Sequence, residues 1–413
     1  MTSLSLSLWI VLGIALQLAL WLGIVFWRHW RAFQALRSGT PIVETAATPA
    51  VPSDPAMVAA WSGFQPFRVE RKFVEDAAHS ICSFYLVPVS GQALPGFLPG
   101  QFLTFRLDVP TAAGTTEQII RCYSLSDAPR PDYYRVTIKR APTPPGRSSN
   151  HFHDRIDVGS ILQVRAPGGH FHIDRSDAPV VLIGGGIGIT PMLSMLNWSL
   201  AEQPGREIWL FYGVRNSREP VMKAQLEALA AAHPNFHLHL CFSAPLPEDL
   251  AGRDYQHCGR VDVGLLRMTL PLKPYHYYIC GPTPMMESLV AALEDWGVPD
   301  ARIHFEAFGP ASIKRRQDVI PLPSGTTASD IVVTFAKSGK QLPWQPAAGS
   351  LLEFAEANGV SVNSGCRAGG CGSCQTTILE GEVSYRQQPD FDPEPGNCLL
   401  CVCSPKTSVT LEA

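Results

Sequence analysis

Val180-Val-Leu-Ile-Gly-Gly-Gly-Ile-Gly-Ile-Thr-Pro191 passes from four apolar residues into a run of glycines and then into helix-forming sequence. An apolar run that ends in glycines reads as a buried strand turning sharply into a helix. Glycines at such a turn would let a pyrophosphate meet backbone N–H donors and the helix dipole. A lone glycine run is a weak signal, so its surroundings matter. From about Pro179 strands alternate with helical stretches: Val180 to Ile183, a helix after Pro191, Ile208 to Tyr212, a helix near Met222 to Ala232, Leu238 to Phe242, and Tyr277 to Cys280. That alternation predicts a parallel sheet with helices on its faces.

Upstream, from about Phe64, the pattern is different. Short β-rich runs such as Gln101-Phe-Leu-Thr-Phe-Arg-Leu107 and Tyr134-Arg-Val-Thr-Ile-Lys139 are broken by Gly and Pro, which predicts a small antiparallel barrel. Two strings stand out there. Arg121-Cys-Tyr-Ser-Leu-Ser126 places a cation and a Tyr on one strand, and Gly146-Arg-Ser-Ser-Asn150 can present N–H and hydroxyl donors to phosphate. Three such strings in this order are more specific than any one of them.

With 413 residues the chain should hold two to three domains at about 150 residues each. Its 46% apolar and 17% charged residues exclude a disordered chain, and a net charge of −3 gives no sign of a nucleic-acid binder. The 36 prolines and 34 glycines favour loops and short strands. Twelve scattered histidines, His151, His153, His170 and His172 among them, are assigned no metal.

Six of the eleven cysteines fall between Cys366 and Cys403. Cys366, Cys371 and Cys374 have C-x4-C-x2-C spacing and Cys401 follows, the plant-type [2Fe–2S] pattern in which four thiolates hold two irons. The intervening Arg367-Ala-Gly-Gly370 and Gly372-Ser373 suit a loop whose backbone N–H groups must approach sulfur. A zinc ribbon from Cys371, Cys374, Cys398 and Cys401 is the alternative, but it leaves Cys366 and the glycine loop without a role. Cys398 and Cys403 remain alternatives to Cys401, which is preferred because Leu399-Leu400-Cys401-Val402 resembles the fourth-ligand segment of plant-type ferredoxins.

Leu4 to Trp27 carries no charge, and its 24 residues at about 1.5 Å rise would cross a hydrocarbon core. Trp21, Phe26, Trp27 and Trp30 form an aromatic edge followed by Arg28, Arg31 and Arg37, so the positive-inside rule places the rest of the chain in the cytoplasm. A cleaved signal peptide would have a basic start, a shorter apolar run and a small-residue cleavage site. The expectation is a single-pass anchor at 4–27 and a Pro/Ala/Thr/Ser-rich tether at 28–60.

Together these strings resemble the ferredoxin–NADP reductase superfamily fused to a C-terminal plant-type ferredoxin domain. The likeness runs from about Phe64 to Ala413. It is close to the reductase half of flavohaemoglobins through Arg121-x-Tyr-Ser124, Tyr212-Gly-Val-Arg-Asn216, Cys280-Gly-Pro282 and Phe305-Glu-Ala-Phe-Gly-Pro310. The fold it implies is multidomain. Beyond the transmembrane helix expected from the uncharged N-terminal run, it has an antiparallel β-barrel flavin domain at 61–176, an α/β NAD(P) domain at 177–310, a linker at 311–327 and an α+β (β-grasp) ferredoxin domain at 328–413.

Residue by residue, the resemblance implies that Arg121 binds flavin phosphate, that Tyr123 and Ser124 contact the isoalloxazine, and that Gly146 and Ser149 line the pyrophosphate. Gly186, Gly188 and Thr190 would hold the dinucleotide. Cys280, with Gly281 and Pro282, would sit beside the nicotinamide, while Glu306 and Phe308 would lie at the flavin's reactive face. Cys366, Cys371, Cys374 and Cys401 would ligate the cluster. The implied cofactors are FAD, with FMN the alternative, a [2Fe–2S] cluster, and NADH, with NADPH the alternative. NADH is preferred because Ala244 and Pro245 follow Ser243 where NADPH enzymes often have Ser-Arg, although Arg215 and Arg218 lie near.

The order of parts implies electron flow from nicotinamide to flavin, cluster and then a partner oxygenase, hydroxylase or desaturase. From Ala328 onward nine acidic residues face five basic ones, so the partner is expected to present a basic docking surface. A complete nitric-oxide dioxygenase is not expected, since only about 60 residues precede the barrel. The remaining alternative is a redox sensor or diaphorase whose Cys-rich tail is a zinc or docking module.

Overall fold

The computed structural model describes residue 17 and residues 61–111, 114–143, 145–308, 331–365, 367, 369–385, 389 and 391–413. The expected anchor at 4–27 (Gln17 apart), the tether at 28–60 (Trp61 being the first residue after it), the linker at 311–327 and Cys366 lie outside the described residues. Among the described residues no helix is long and apolar enough to cross a membrane.

The first unit is a barrel of β1 (Phe64–Val74), β2 (Ile81–Pro88), β3 (Phe102–Pro110), β4 (Thr116–Ser124), β5 (Tyr134–Lys139) and β6 (Ile161–Gly168). Its order is β4-β3-β6-β1-β2-β5, with all of these pairings antiparallel, and a Leu125–Val136 bridge joins the two outer strands. In β1, Phe67 and Val69 point inward while Arg68 and Glu70 face solvent, the alternation a half-buried strand requires. Helix α1 (Arg147–Arg155) inserts Phe152 edge-on among Phe84, Phe105 and Tyr123, with ring centroids 5.2, 5.3 and 5.2 Å away. Edge-to-face packing of this kind adds about 0.5–1.5 kcal/mol per pair beyond area burial.

The second unit runs β7 (Val180–Gly185), α2 (Ile189–Glu202), β8 (Ile208–Val214), α3 (Lys223–Ala232), β9 (Phe236–Phe242), β10 (His257–Cys258), α4 (Val263–Thr269), β11 (His276–Gly281), α5 (Thr283–Asp295) and β12 (Ile303–Ala307). Its sheet, β10-β9-β8-β7-β11-β12, is wholly parallel. Leu182, Leu210 and Leu240 pack on one face with Met192 and Leu196 of α2, and Val181, Ile183 and Phe211 pack on the other with Met286 and Leu289 of α5. With both faces covered, these strands read as continuous apolar runs, which is why the sequence exposed them. Chain order reverses between β7 and β11, and the ends of these two strands frame the crevice where ligands of open α/β sheets bind.

The third unit is α+β, as expected. Strands β13 (Val332–Phe335), β14 (Lys340–Pro343), β15 (Gln375–Glu380), β17 (Asn397–Leu399) and β19 (Val409–Leu411) form a mixed sheet in which β13 and β19 are parallel. Strands β16 (Val383–Tyr385) and β18 (Cys403–Pro405) pair separately. Helix α6 (Leu351–Ala357) opens on a capping box: Ser350 Oγ accepts from the Glu353 N–H, and the Glu353 carboxylate accepts from the Ser350 N–H. Its Leu351, Leu352 and Phe354 pack on Val333, Phe335 and Leu411.

The barrel and the parallel sheet are fastened at Asp127, just beyond β4. Its carbonyl accepts from Ser194 Oγ at 2.8 Å and its carboxylate from Asn197 Nδ2 at 2.8 Å, both donors on α2. Arg135, almost fully buried, lies 3.6 Å from the same carboxylate. The bond to Asp127 gives Asn197 a structural role.

Candidate functional site

The glycine run forms a turn against the end of β11. Gly186 adopts φ +52°, the left-handed region that favours glycine. A Cβ on Gly188 would overlap the carbonyl of Cys280, and one on Gly185 would come 2.7 Å from Pro282 Cδ. One on Gly281 would lie 3.0 Å from Gly185 Cα, so the two strand ends meet backbone to backbone. Gly188 is the N-cap of helix α2 and supplies no side-chain cap, while the Ile189 N–H donates back to the Gly186 carbonyl of the turn. Thr190 Oγ1 is turned inward and donates to the Ile187 carbonyl at 3.0 Å, so it braces the loop.

Cys280 is fully buried, and burial first, then the nearby Glu306, pushes its thiol well above the usual range. Glu306 is its register partner on β12. From the barrel, Ser124 Oγ donates to Glu306 Oε2 at 3.4 Å. The structure thus gathers Ser124, Cys280 and Glu306, which the sequence placed far apart, at one junction. Phe308 follows β12 and leaves 38% of its surface exposed.

Tyr123 is the penultimate residue of β4. Its hydroxyl shares a 2.8 Å hydrogen bond with Ser148 Oγ, and burial is the main cause that pushes it up to about 12. Ser148 is buried in the first turn of α1, whose N-cap is Gly146. A side chain on Gly146 would overlap Ser149 Oγ. Gly146, Ser148, Ser149 and Tyr123 therefore converge at the start of α1. Ser148 lies inside the quoted Gly146–Asn150 string, and only the fold singles it out. Arg121 donates to the carbonyls of Ile120 at 2.7 Å and Ser364 at 3.2 Å, which carries it to the third unit.

In that unit Cys371 and Cys374 are buried and Cys401 is half-buried. The sulfurs of Cys374 and Cys401 lie 3.2 Å apart. A Cβ on Gly365 would come 2.6 Å from Cys371 Sγ, so the backbone closes on sulfur there. Gly369 and Gly372 adopt φ +76° and +71°. Buried thiols in a glycine-wrapped loop are the soft donor set an iron–sulfur cluster requires. Among the described residues alone, no three His, Cys, Asp or Glu side chains converge as a metal site; Cys366 is outside them. Cys398 and Cys403 are both fully buried in the hydrophobic core of this unit. Arg165, which no sequence signal marked, donates to the Cys371 carbonyl at 2.8 Å.

Residues 70–173 match the oxidoreductase FAD-binding domain family, 182–291 the oxidoreductase NAD-binding domain family, and 333–406 the 2Fe-2S iron-sulfur cluster binding domain family. The chain is 38% identical over 256 residues to the flavohemoprotein of Halalkalibacterium halodurans and 41% identical over 256 residues to that of Bordetella pertussis. It spans 61% and 62% of the length of these relatives, and each match takes in 61% of this chain. Among solved structures it resembles the flavohem-like FAD/NAD binding domain of nitric oxide dioxygenase from Vibrio cholerae at 31% identity and TM-score 0.53, over 60% of this chain and 100% of that one. It also resembles phthalate dioxygenase reductase at 27% identity and TM-score 0.51, over 85% of this chain and 98% of that one. The chain therefore belongs to the ferredoxin–NADP reductase superfamily of oxidoreductases, and carries FAD-binding, NAD-binding and C-terminal 2Fe-2S cluster-binding domains in the arrangement of phthalate dioxygenase reductase.

Proposed function

We propose that the chain is a membrane-anchored, NADH-dependent reductase that delivers electrons through FAD and a [2Fe–2S] cluster to a partner oxygenase, hydroxylase or desaturase. The observation that carries this reading is the reach of β4. Ser124 at its end touches Glu306 of the nicotinamide sheet, and Arg121, three residues earlier, touches Ser364 beside the cluster loop. One strand thereby borders both redox ends. Flavin bound against it would take hydride from the nicotinamide and release electrons singly to the cluster.

The chain's own residues would divide the work. Tyr123 and Ser124 orient the flavin ring, with Arg121, Gly146 and Ser149 toward its phosphates. Gly186, Gly188 and Thr190 shape the dinucleotide turn, while Cys280, Gly281 and Pro282 flank the nicotinamide. Glu306 and Phe308 close the reactive face, and Cys366, Cys371, Cys374 and Cys401 ligate the cluster.

Support for NADH comes from the cations after β8. Arg215 pairs with Glu219, and Arg218 lies 3.1 Å from Glu248, so both already have carboxylate partners. Exposed pairs of this kind are worth under about 1 kcal/mol, so the coenzyme is best read directly. The anchor rests on the uncharged Leu4–Trp27 segment, with the catalytic units on the cytoplasmic side. The acidic balance of the third unit, with Glu380, Asp392 and Glu394 exposed, supports a basic docking surface on the partner.

The test is composition with turnover. The purified chain is expected to hold one FAD, two irons and two acid-labile sulfides, and to reduce cytochrome c faster with NADH than with NADPH. Zinc without labile sulfide would transfer the case to the diaphorase with a zinc tail.

A further inference from the structure

Arg165 on β6 and Arg121 on β4 stand beside neighbouring positions of the strand between them, opposite Thr104 and Phe105 of β3. Both guanidinium groups cross from the barrel to the third unit, one to the Cys371 carbonyl and one to the Ser364 carbonyl. They therefore grip the predicted cluster loop at two points seven residues apart. The Arg165 grip is reinforced by stacking. Its guanidinium lies 4.9 Å from the Phe64 ring centroid on β1 and 5.0 Å from that of Phe391 in the third unit. Phe391 is itself fixed to the loop: its N–H donates to the Gly369 carbonyl at 3.0 Å, and its ring occupies the space a Gly372 Cβ would need, 2.6 Å away.

We propose that Arg165 is a positioning residue for electron transfer, a clasp that holds the Cys371 loop on the barrel at a fixed distance from the flavin edge. This rests on the reductase reading above and goes beyond it, since that reading would equally allow a loosely tethered ferredoxin unit that docks by diffusion. Arginine suits the task for three reasons. It remains charged, its planar fork donates to a carbonyl while its faces stack on aromatic rings, and its charge opposes the negative charge added when the cluster is reduced. Lysine would keep the charge and lose the stacked geometry.

The test uses the full-length holoprotein with Arg165→Ala, Arg165→Lys and Phe391→Ala. Hydrogen exchange of residues 363–374 reads the clasp independently of turnover. Ferricyanide reduction reads the flavin and cytochrome c reduction reads the cluster, each NADH supplying two one-electron equivalents. An EPR-monitored titration reads the cluster's midpoint potential. In Arg165→Ala, exchange of the loop is expected to rise tenfold or more and cytochrome c kcat to fall tenfold or more. Ferricyanide kcat and the KM for NADH should stay within twofold, and the midpoint should move to more negative values. Arg165→Lys should retain the midpoint but not the protection, and Phe391→Ala should loosen the loop with the charge still present. Unchanged exchange, midpoint and cytochrome c rate in Arg165→Ala would overturn the clasp. A wild-type chain that reduces ferricyanide but never cytochrome c would overturn the reductase reading instead, and the exchange data would still decide the clasp.

Discussion

Gly188 lies against the carbonyl of Cys280 so closely that no side chain fits between them. The nucleotide turn and the end of β11 are therefore one backbone contact, on which α2 and α5 both begin. Gly188→Ala should push the two apart, and overpacking of this kind costs about 1–3 kcal/mol. The expected result is a KM for NADH raised tenfold or more with flavin content unchanged, measured by steady-state kinetics and flavin release. An unaltered KM would mean that the contact does not shape the dinucleotide site.

Ser124 links the barrel to Glu306 across 182 residues of sequence. Removing its hydroxyl should cost about one hydrogen bond, roughly 1–1.5 kcal/mol, or a tenfold fall in rate. Stopped-flow bleaching of the flavin by NADH should slow by that factor in Ser124→Ala while flavin affinity holds. A rate equal to wild type would remove Ser124 from the reactive face.

The same fold predicts an acid limit. Burial by itself would raise the Asp174 carboxyl, but hydrogen bonds from Ser176 and Tyr278 and the charge of Arg206 outweigh it and hold the group at about 2, below its usual 3.8. Its folded pKa is depressed, so its contribution is complete above about pH 4 and disappears as the pH falls toward 2. That contribution is on the order of 2 kcal/mol. Asp174→Ala should lower stability at neutral pH by about 3 kcal/mol or more, because the Arg206 side chain is 0% exposed and would be left without its carboxylate. Denaturant midpoints between pH 2 and pH 7 check both statements. A mutant that keeps the wild-type pH profile would contradict them.

Cysteine replacement separates cluster ligands from core cysteines. Cys371→Ser, Cys374→Ser and Cys401→Ser should lose iron and labile sulfide. Cys398→Ser and Cys403→Ser, whose side chains sit in the core, should lower stability but retain iron. Iron loss in Cys398→Ser with iron retained in Cys401→Ser would reassign the fourth ligand.

The parts legible in the sequence are those written locally. The glycine turn after Val180–Ile183 changes the hydrophobic pattern within a few residues, and the Cys371–Cys374 spacing sits in one loop. Long-range partners left no such mark. Arg165 and Cys371 are 206 residues apart, and nothing in a β6 strand that alternates burial shows which outward cation will meet another unit. Asn197 left no such mark either, because its partner is an aspartate 70 residues earlier. Thr190 was legible as part of the nucleotide turn, but the bond its hydroxyl donates to the Ile187 carbonyl appears only in the fold.

The most direct measurement is an anaerobic titration of the detergent-solubilised chain with NADH and then NADPH, with absorbance following the flavin and EPR following the cluster. The account predicts that NADH reduces both centres, with the cluster signal growing as the flavin band bleaches. A flavin that bleaches fully while no cluster signal appears would contradict it.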